Sequence, residues 1–142
     1  MANTFLLANG IKVGKSLAAE EDVPLAREII EKARAKARDN KFVFYVPQDG
    51  VVATDIEKAT KTRIVDWGTH AIAEIESYPK LPHKDASEVG VNEKILDIGP
   101  FSGAFIAGLI QSAETVVWNG AMGVTEVAGL QHKTGPFSHG TE

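Results

Sequence analysis

Three short apolar runs limit what this chain can fold into. Phe42-Val43-Phe44-Tyr45-Val46, Ile95-Leu96-Asp97-Ile98 and Thr115-Val116-Val117-Trp118 are rich in β-branched and aromatic residues. Each is stopped by a turn signal: Pro47, Gly99-Pro100 and Asn119-Gly120. Runs of this kind suit strands buried on both faces. Residues 62–66 read as a further short strand.

Helical spacing takes over around these runs. Residues 1–6 form an apolar helical turn closed by Asn9-Gly10. Glu20-Glu21-Asp22 ahead of Pro24 places negative charge and a fixed backbone angle at the start of a helix that runs to about Arg38. Leu25, Ile29, Ile30, Ala33 and Ala37 recur along it with helical period, and Glu28 precedes Lys32 by four residues. Phe101, Phe105, Ile106, Leu109, Ile110 and Ala113 mark a second amphipathic helix. Residues 67–94, with Pro79, Pro82 and a cluster of charges, read as a long connection that holds a helix around 71–77. Strands alternating with helices predict right-handed crossovers and an α/β fold with a parallel sheet. Ligands then gather at the carboxyl ends of the strands, here Pro47-Gln48-Asp49, Gly99-Pro100 and Asn119-Gly120.

A length of 142 residues fits one domain, and 44% apolar residues are enough for a folded core. The absence of cysteine excludes disulfides and cysteine-based zinc sites, and the expected location is cytoplasmic. No segment approaches the roughly 18 apolar residues of a membrane span, and the N-terminus lacks the pattern of a leader, so no membrane partner is expected. A net charge of −4 and only 7% aromatic residues argue against nucleic-acid binding.

Several motifs fail on their own terms. Gly10-Ile11-Lys12-Val13-Gly14-Lys15-Ser16 resembles a phosphate loop, but three residues separate its glycines where four are needed, and no buried strand leads into it. Leu96-Asp97-Ile98-Gly99 resembles the start of a methyltransferase loop, but Phe101 stands where the backbone would have to approach a cofactor closely. His70, His83, His132 and His139 show no metal-ligand spacing, no close carboxylate pair offers an acid and a base, and no catalytic residue is assigned.

Residues 116–126 (VVWNGAMGVTE) differ from these. A buried strand ends in Asn-Gly, winds through a second glycine and reaches an acid. Such a turn either ends a strand and does nothing more, or brings an amide and a carboxylate beside a ligand, where one suits phosphate and the other ribose.

The same run closely resembles the tryptophan-asparagine-glycine-proline-methionine-glycine-valine-phenylalanine-glutamate signature of phosphoglycerate kinases. Ala121 replaces the proline and Thr125 the phenylalanine. Four other matches follow in the family's order: MANTFL at 1–6, VGKSL at 13–17, PQDGVVA at 47–53 and LDIGP at 96–100. The resemblance weakens across 67–94, where the family's tryptophan-methionine-glycine lead-in is missing.

The resemblance implies an incomplete C-terminal, nucleotide-binding domain over residues 1–142, a partial Rossmann-like three-layer fold with a parallel sheet. The parent reaction is phosphoryl transfer between 1,3-bisphosphoglycerate and ADP in glycolysis. Carried over, Glu126 binds the ribose hydroxyls, Asn119 lies near the phosphates, and Leu17, Leu96 and Val124 line the adenine pocket. Ile95 stands where the family usually has glycine, which would narrow that pocket. ATP or ADP is the expected ligand, with Mg2+ accompanying it in the complete enzyme.

Neither the family's glycerate-binding domain, nor its lysine-bearing phosphate loop, nor its glycine-glycine-glycine-aspartate loop is found in this sequence. The expectation is therefore an ATP-binding transferase by descent that is inert alone. Its partners would be an adenine nucleotide and, over exposed sheet edges, either the remaining parts of the enzyme or a second copy. The alternative is a non-catalytic nucleotide-binding or protein-interaction module.

Overall fold

The computed structural model of the chain describes residues 1–39, 42–56, 61–68 and 87–124. The elements are α1 (Ala2–Ala8), a 3-10 turn (Glu20–Asp22), α2 (Val23–Asp39), β1 (Asp49–Ala53), β2 (Arg63–Asp66), β3 (Lys94–Ile98) and α3 (Pro100–Gln111).

The expected break at Asn9-Gly10 closes α1. Gly10 takes φ +80°, its N–H donates to Leu7 O at 2.9 Å, and the Ile11 N–H donates to Leu6 O at 3.0 Å. This pair of bonds satisfies two terminal carbonyls and needs a left-handed residue, hence glycine. Helix α2 lays Ala26, Ile30 and Ala33 inward, with α1 packed alongside. Two of its other apolar residues, Leu25 and Ile29, face outward instead.

The sheet order is β2-β1-β3, and both pairings are antiparallel. The expected parallel sheet is therefore not what these residues build. Asp49–Ala53 forms the central strand although Pro47 had marked the end of the preceding run, and its five residues are all buried. Among the described residues no helix lies between β1 and β2, and their antiparallel pairing does not follow the crossover that strand–helix alternation implied. The β1–β3 ladder is irregular between Val51 and Val52, where Val51 faces Asp97 but Val52 faces Ile95.

Two of the expected strands are absent as strands. Residues 42–47 are half-buried without regular structure, Phe44 meeting Phe5 edge-on at 5.3 Å between ring centroids and Tyr45 stacking on Phe105 at 4.5 Å. Residues 115–118 carry no strand either, and Val117 is 89% exposed. Apolar pattern favours extended backbone, but a strand exists only where a neighbour pairs its N–H and C=O groups. The helix expected around 71–77 lies outside the described residues.

Core side chains cover both faces of the sheet. On one face Leu6, Val13, Val52, Val65, Trp67 and Val89 cluster; on the other, Val51, Ala53 and Leu96 meet Ile56 and Val124. Trp67 is held at both ends of its residue, its indole N–H donating to Pro47 O at 2.9 Å and its backbone N–H to Gln48 O at 3.1 Å.

Candidate functional site

Two of the expected ligand-gathering ends meet each other. Because β1 and β3 are antiparallel, Asp49 at the start of β1 lies beside Gly99 at the end of β3 and the first turn of α3. The Gly99 N–H donates to Asp49 O at 2.9 Å, and the Asp49 carboxylate accepts the N–H groups of Phe101 at 2.9 Å and Ser102 at 2.8 Å. Pro100 supplies a ready first turn without an N–H, and Asp49 satisfies the next two from outside the helix. A Cβ on Gly99 would stand 2.2 Å from that carboxylate, so only glycine fits. This helix N-terminus is thus filled by the protein's own anion.

The third end belongs to a different constellation, which gathers around β3. The Gly14–Leu17 strap crosses it first. Gly14 has φ +57°, and a Cβ there would meet the carbonyl oxygens of Glu93 and Gly90 at 2.4 Å. Lys15 N–H donates to Glu93 O at 2.8 Å, and Ile95 N–H donates to Ser16 Oγ at 2.8 Å. Asn3 Nδ2 holds Leu17 O at 3.0 Å, and Thr4 Oγ1 accepts the Ala19 N–H at 3.2 Å. These bonds leave the Leu17 side chain 92% exposed.

From the other side the loop before Val124 closes on the same strand. Val124 N–H donates to Leu96 O at 2.9 Å, and its side chain packs with Leu96, Val51 and Ala53. Gly123 lies against the Asp97 carboxylate so closely that a Cβ would stand 2.1 Å from it. Asp97 is itself buried, and burial pushes its carboxyl above the ordinary range, partly offset by the Ile98 N–H that it accepts at 2.8 Å.

Two hydrogen bonds thus attach the Ser16 strap and the Val124 loop to β3, and Val124 packs against Leu96, whereas the Leu17 side chain stays exposed and borders a groove with Met1, Phe5 and Leu25. Asn119 lies on the exposed stretch leading into this loop, beside Gly120 at φ +89°. Glu126 lies outside the described residues. Ile95 packs into the Leu6–Val52–Trp67 cluster, away from Leu96, so it does not crowd the Leu96 side. The roles of Asp49, Ser102 and Asp97 were not legible from spacing. The strings PQDGVVA and LDIGP carry them, but nothing local says that the two strands meet. Among the described residues no group of three or more His, Cys, Asp or Glu side chains could hold a metal ion, and no helix is long and apolar enough to cross a membrane.

A family model described as phosphoglycerate kinase matches residues 1–141. The chain belongs to the phosphoglycerate kinase family. It is 35% identical over 141 residues to the phosphoglycerate kinase of Rhodospirillum centenum, a match that covers 99% of this chain and 28% of that protein. With the phosphoglycerate kinase of Desulforapulum autotrophicum the identity is 37% over 142 residues, covering 100% and 29%. Among solved structures, the phosphoglycerate kinase of Coxiella burnetii superposes with a TM-score of 0.69 at 32% identity, over 94% of this chain and 29% of that one. The chain thus spans little more than a quarter of the length of the phosphoglycerate kinases it matches.

Proposed function

We propose that this chain is part of a phosphoglycerate kinase's C-terminal domain and supplies the nucleoside end of its nucleotide site, with Leu17, Leu96 and Val124 lining the adenine pocket, Asn119 facing the phosphates and Glu126 holding the ribose. The observation that carries this reading is the double tether on β3. Ser16 fixes the strap bearing Leu17 to the Ile95 N–H, and the Leu96 carbonyl fixes the loop bearing Val124, so the segments that carry all three residues are anchored on β3 and Val124 packs against Leu96. Apolar walls with a few placed polar groups suit a purine base and its ribose.

The parent reaction is phosphoryl transfer between 1,3-bisphosphoglycerate and ADP in the cytoplasm, with Mg2+ arriving on the nucleotide. Among the described residues no cluster of His, Cys, Asp or Glu side chains fits a protein-held metal. Phosphoryl transfer depends on positioning and on stabilising charge over the transferred group. The residues assigned in this chain reach the nucleoside and one side of the phosphates, and no cationic phosphate cradle is among them. The 142-residue chain assayed alone is therefore expected to bind ADP weakly and to turn nothing over.

Titration with ADP, followed by tryptophan fluorescence, tests this. Trp67 is buried in the core and Trp118 is half-exposed, so a Trp118→Phe control assigns the signal. Glu126→Ala is expected to weaken binding about tenfold, the loss of a charge-assisted hydrogen-bond pair. Unchanged affinity in that variant would sink the ribose assignment. Turnover by the purified chain in a coupled assay would refute the claim that it is inert.

A further inference from the structure

The strap that carries Leu17 rests on a turn that the nucleotide reading does not include. Residues 90–93 form that turn, the Glu93 N–H donating to Gly90 O at 2.9 Å. Its backbone meets the strap directly. The Lys15 N–H donates to Glu93 O at 2.8 Å, and Gly14 lies so close to the Glu93 and Gly90 carbonyl oxygens that no side chain fits there. Val89, just before the turn, and Val13, just before Gly14, are buried in one core cluster. Strap and turn are thus interlocked, and the position of one sets that of the other.

A side chain from β2 braces this turn. Arg63 Nε and Nη2 donate to the two carboxylate oxygens of Glu93 at 2.7 and 2.6 Å, and Nη2 also donates to Glu88 O at 2.8 Å. The same carboxylate accepts the Gly90 N–H at 2.7 Å. One guanidinium fork therefore grips both ends of residues 88–93, with a directionality that a point charge lacks. The Glu93 side chain is 16% exposed and that of Arg63 46%, so the pair adds little to overall stability while it fixes a geometry. Lys12 and Glu88 meet at 2.9 Å nearby, but both are exposed and hold the turn only weakly. The turn lies within residues 67–94, where the resemblance to the family is weakest, and no family motif accounts for the brace.

We propose that Arg63 and Glu93 are positioning residues for the base end of the nucleotide site: they hold the 90–93 turn where Glu93 O receives the Lys15 N–H, and so set where Leu17 stands. The inference rests on the reading of Leu17 as part of the adenine pocket. Neither side chain touches the nucleotide; both act through the strap. Leu17 depends on such a brace because its side chain is 92% exposed and little packing holds it. Its place is set instead by polar bonds at Lys15, Ser16 and its own carbonyl.

ADP titration of the 142-residue chain in a double-mutant cycle of Arg63→Ala with Leu17→Ala tests the proposal. Arg63→Ala is expected to weaken binding about fivefold, and Arg63→Lys, which keeps the charge without the fork, by less. The double variant is expected to bind no worse than Leu17→Ala alone, because both changes act through one side chain. Amide hydrogen exchange adds a local readout: in Arg63→Ala the Lys15 N–H is expected to lose more protection than the Ile30 and Ala33 N–H groups of α2. Unchanged affinity in Arg63→Ala beside a weakened Leu17→Ala would overturn the proposal and leave the nucleotide reading standing. Additive losses in the double variant would overturn it too, as would a Lys15 N–H that loses no more protection than α2. Unchanged affinity in Leu17→Ala would instead remove Leu17 from the adenine pocket, and the proposal with it.

Discussion

Asp49 and Ser102 cap each other. The Asp49 carboxylate accepts the Ser102 N–H at 2.8 Å, and the Ser102 hydroxyl oxygen accepts the Asp49 N–H at 3.3 Å and the Gln48 N–H at 3.0 Å. The Tyr45 hydroxyl donates to the same oxygen at 3.1 Å. Both Asp49 and Ser102 are buried, so each group has replaced water with protein. One strand start and one helix start are locked together without a covalent link.

Ser102→Ala strands two buried N–H groups and is expected to cost about 2–4 kcal/mol, read as a fall in the urea midpoint without a change in slope. Asp49→Ala removes both acceptors at the start of α3, and a loss of similar size is expected. A variant at either position with unaltered stability would show that the bracket contributes nothing.

Gly123→Ala is expected to act on binding more than on folding. Its Cβ would collide with the Asp97 carboxylate, so the loop must lift and take Val124 away from Leu96. The loop is otherwise exposed, and global stability should fall by less than about 1 kcal/mol. ADP affinity is expected to drop at least several-fold. Wild-type affinity in this variant would remove Val124 from the pocket.

Asp97 carries a pH signature. Burial raises its folded-state pKa above the unfolded value, so the native chain binds more protons than the unfolded chain between the two. Its favourable contribution is full below the unfolded value and is lost as pH rises through the folded one. Asp97→Asn keeps an acceptor for the Ile98 N–H and carries no charge. It is expected to melt a few degrees higher than the parent at pH 7, with the gap closing as pH falls below the ordinary aspartate range.

The opposite sign belongs to Glu93. Arg63 Nη2 lies 2.6 Å from Glu93 Oε2, and Arg63 Nε donates to the other oxygen at 2.7 Å. Arg63, with the Gly90 N–H, holds this carboxyl below the ordinary glutamate range. Its contribution is present above the unfolded value and lost as pH falls through the folded one. Arg63→Ala is expected to cost roughly 1 kcal/mol at pH 7, because the pair is half-exposed, and less in acid. A loss that does not shrink on acidification would contradict the assignment.

Local chemistry made part of this fold readable. Gly10 ends α1 because the left-handed cap needs it, and Pro24 opens α2 because its angle suits a first turn. The charge pair Glu28–Lys32 forms on the exposed face of α2 as its spacing predicts. The strand at Ile95, the helix after Pro100 and the family itself were equally legible, the last through residues 116–126 and four short motifs. The proposed site residues came only from resemblance: Leu17, Leu96 and Val124 are far apart in sequence, and nothing in their spacing says that the Ser16 strap and the Val124 loop are both anchored on β3.

Sequence by itself determined where helices start and stop, which residues are apolar enough for strands, and the family to which the chain belongs. These follow from interactions within a few residues and from recognisable strings. Tertiary structure alone decided the sheet. Residues 42–46 and 115–118 have strand composition but no strand, whereas Asp49–Ala53, set off by Pro47, became the central one. Strand direction and membership depend on which backbone finds a partner for its N–H and C=O groups. That choice lies between segments distant in the chain, so no window of sequence contains it.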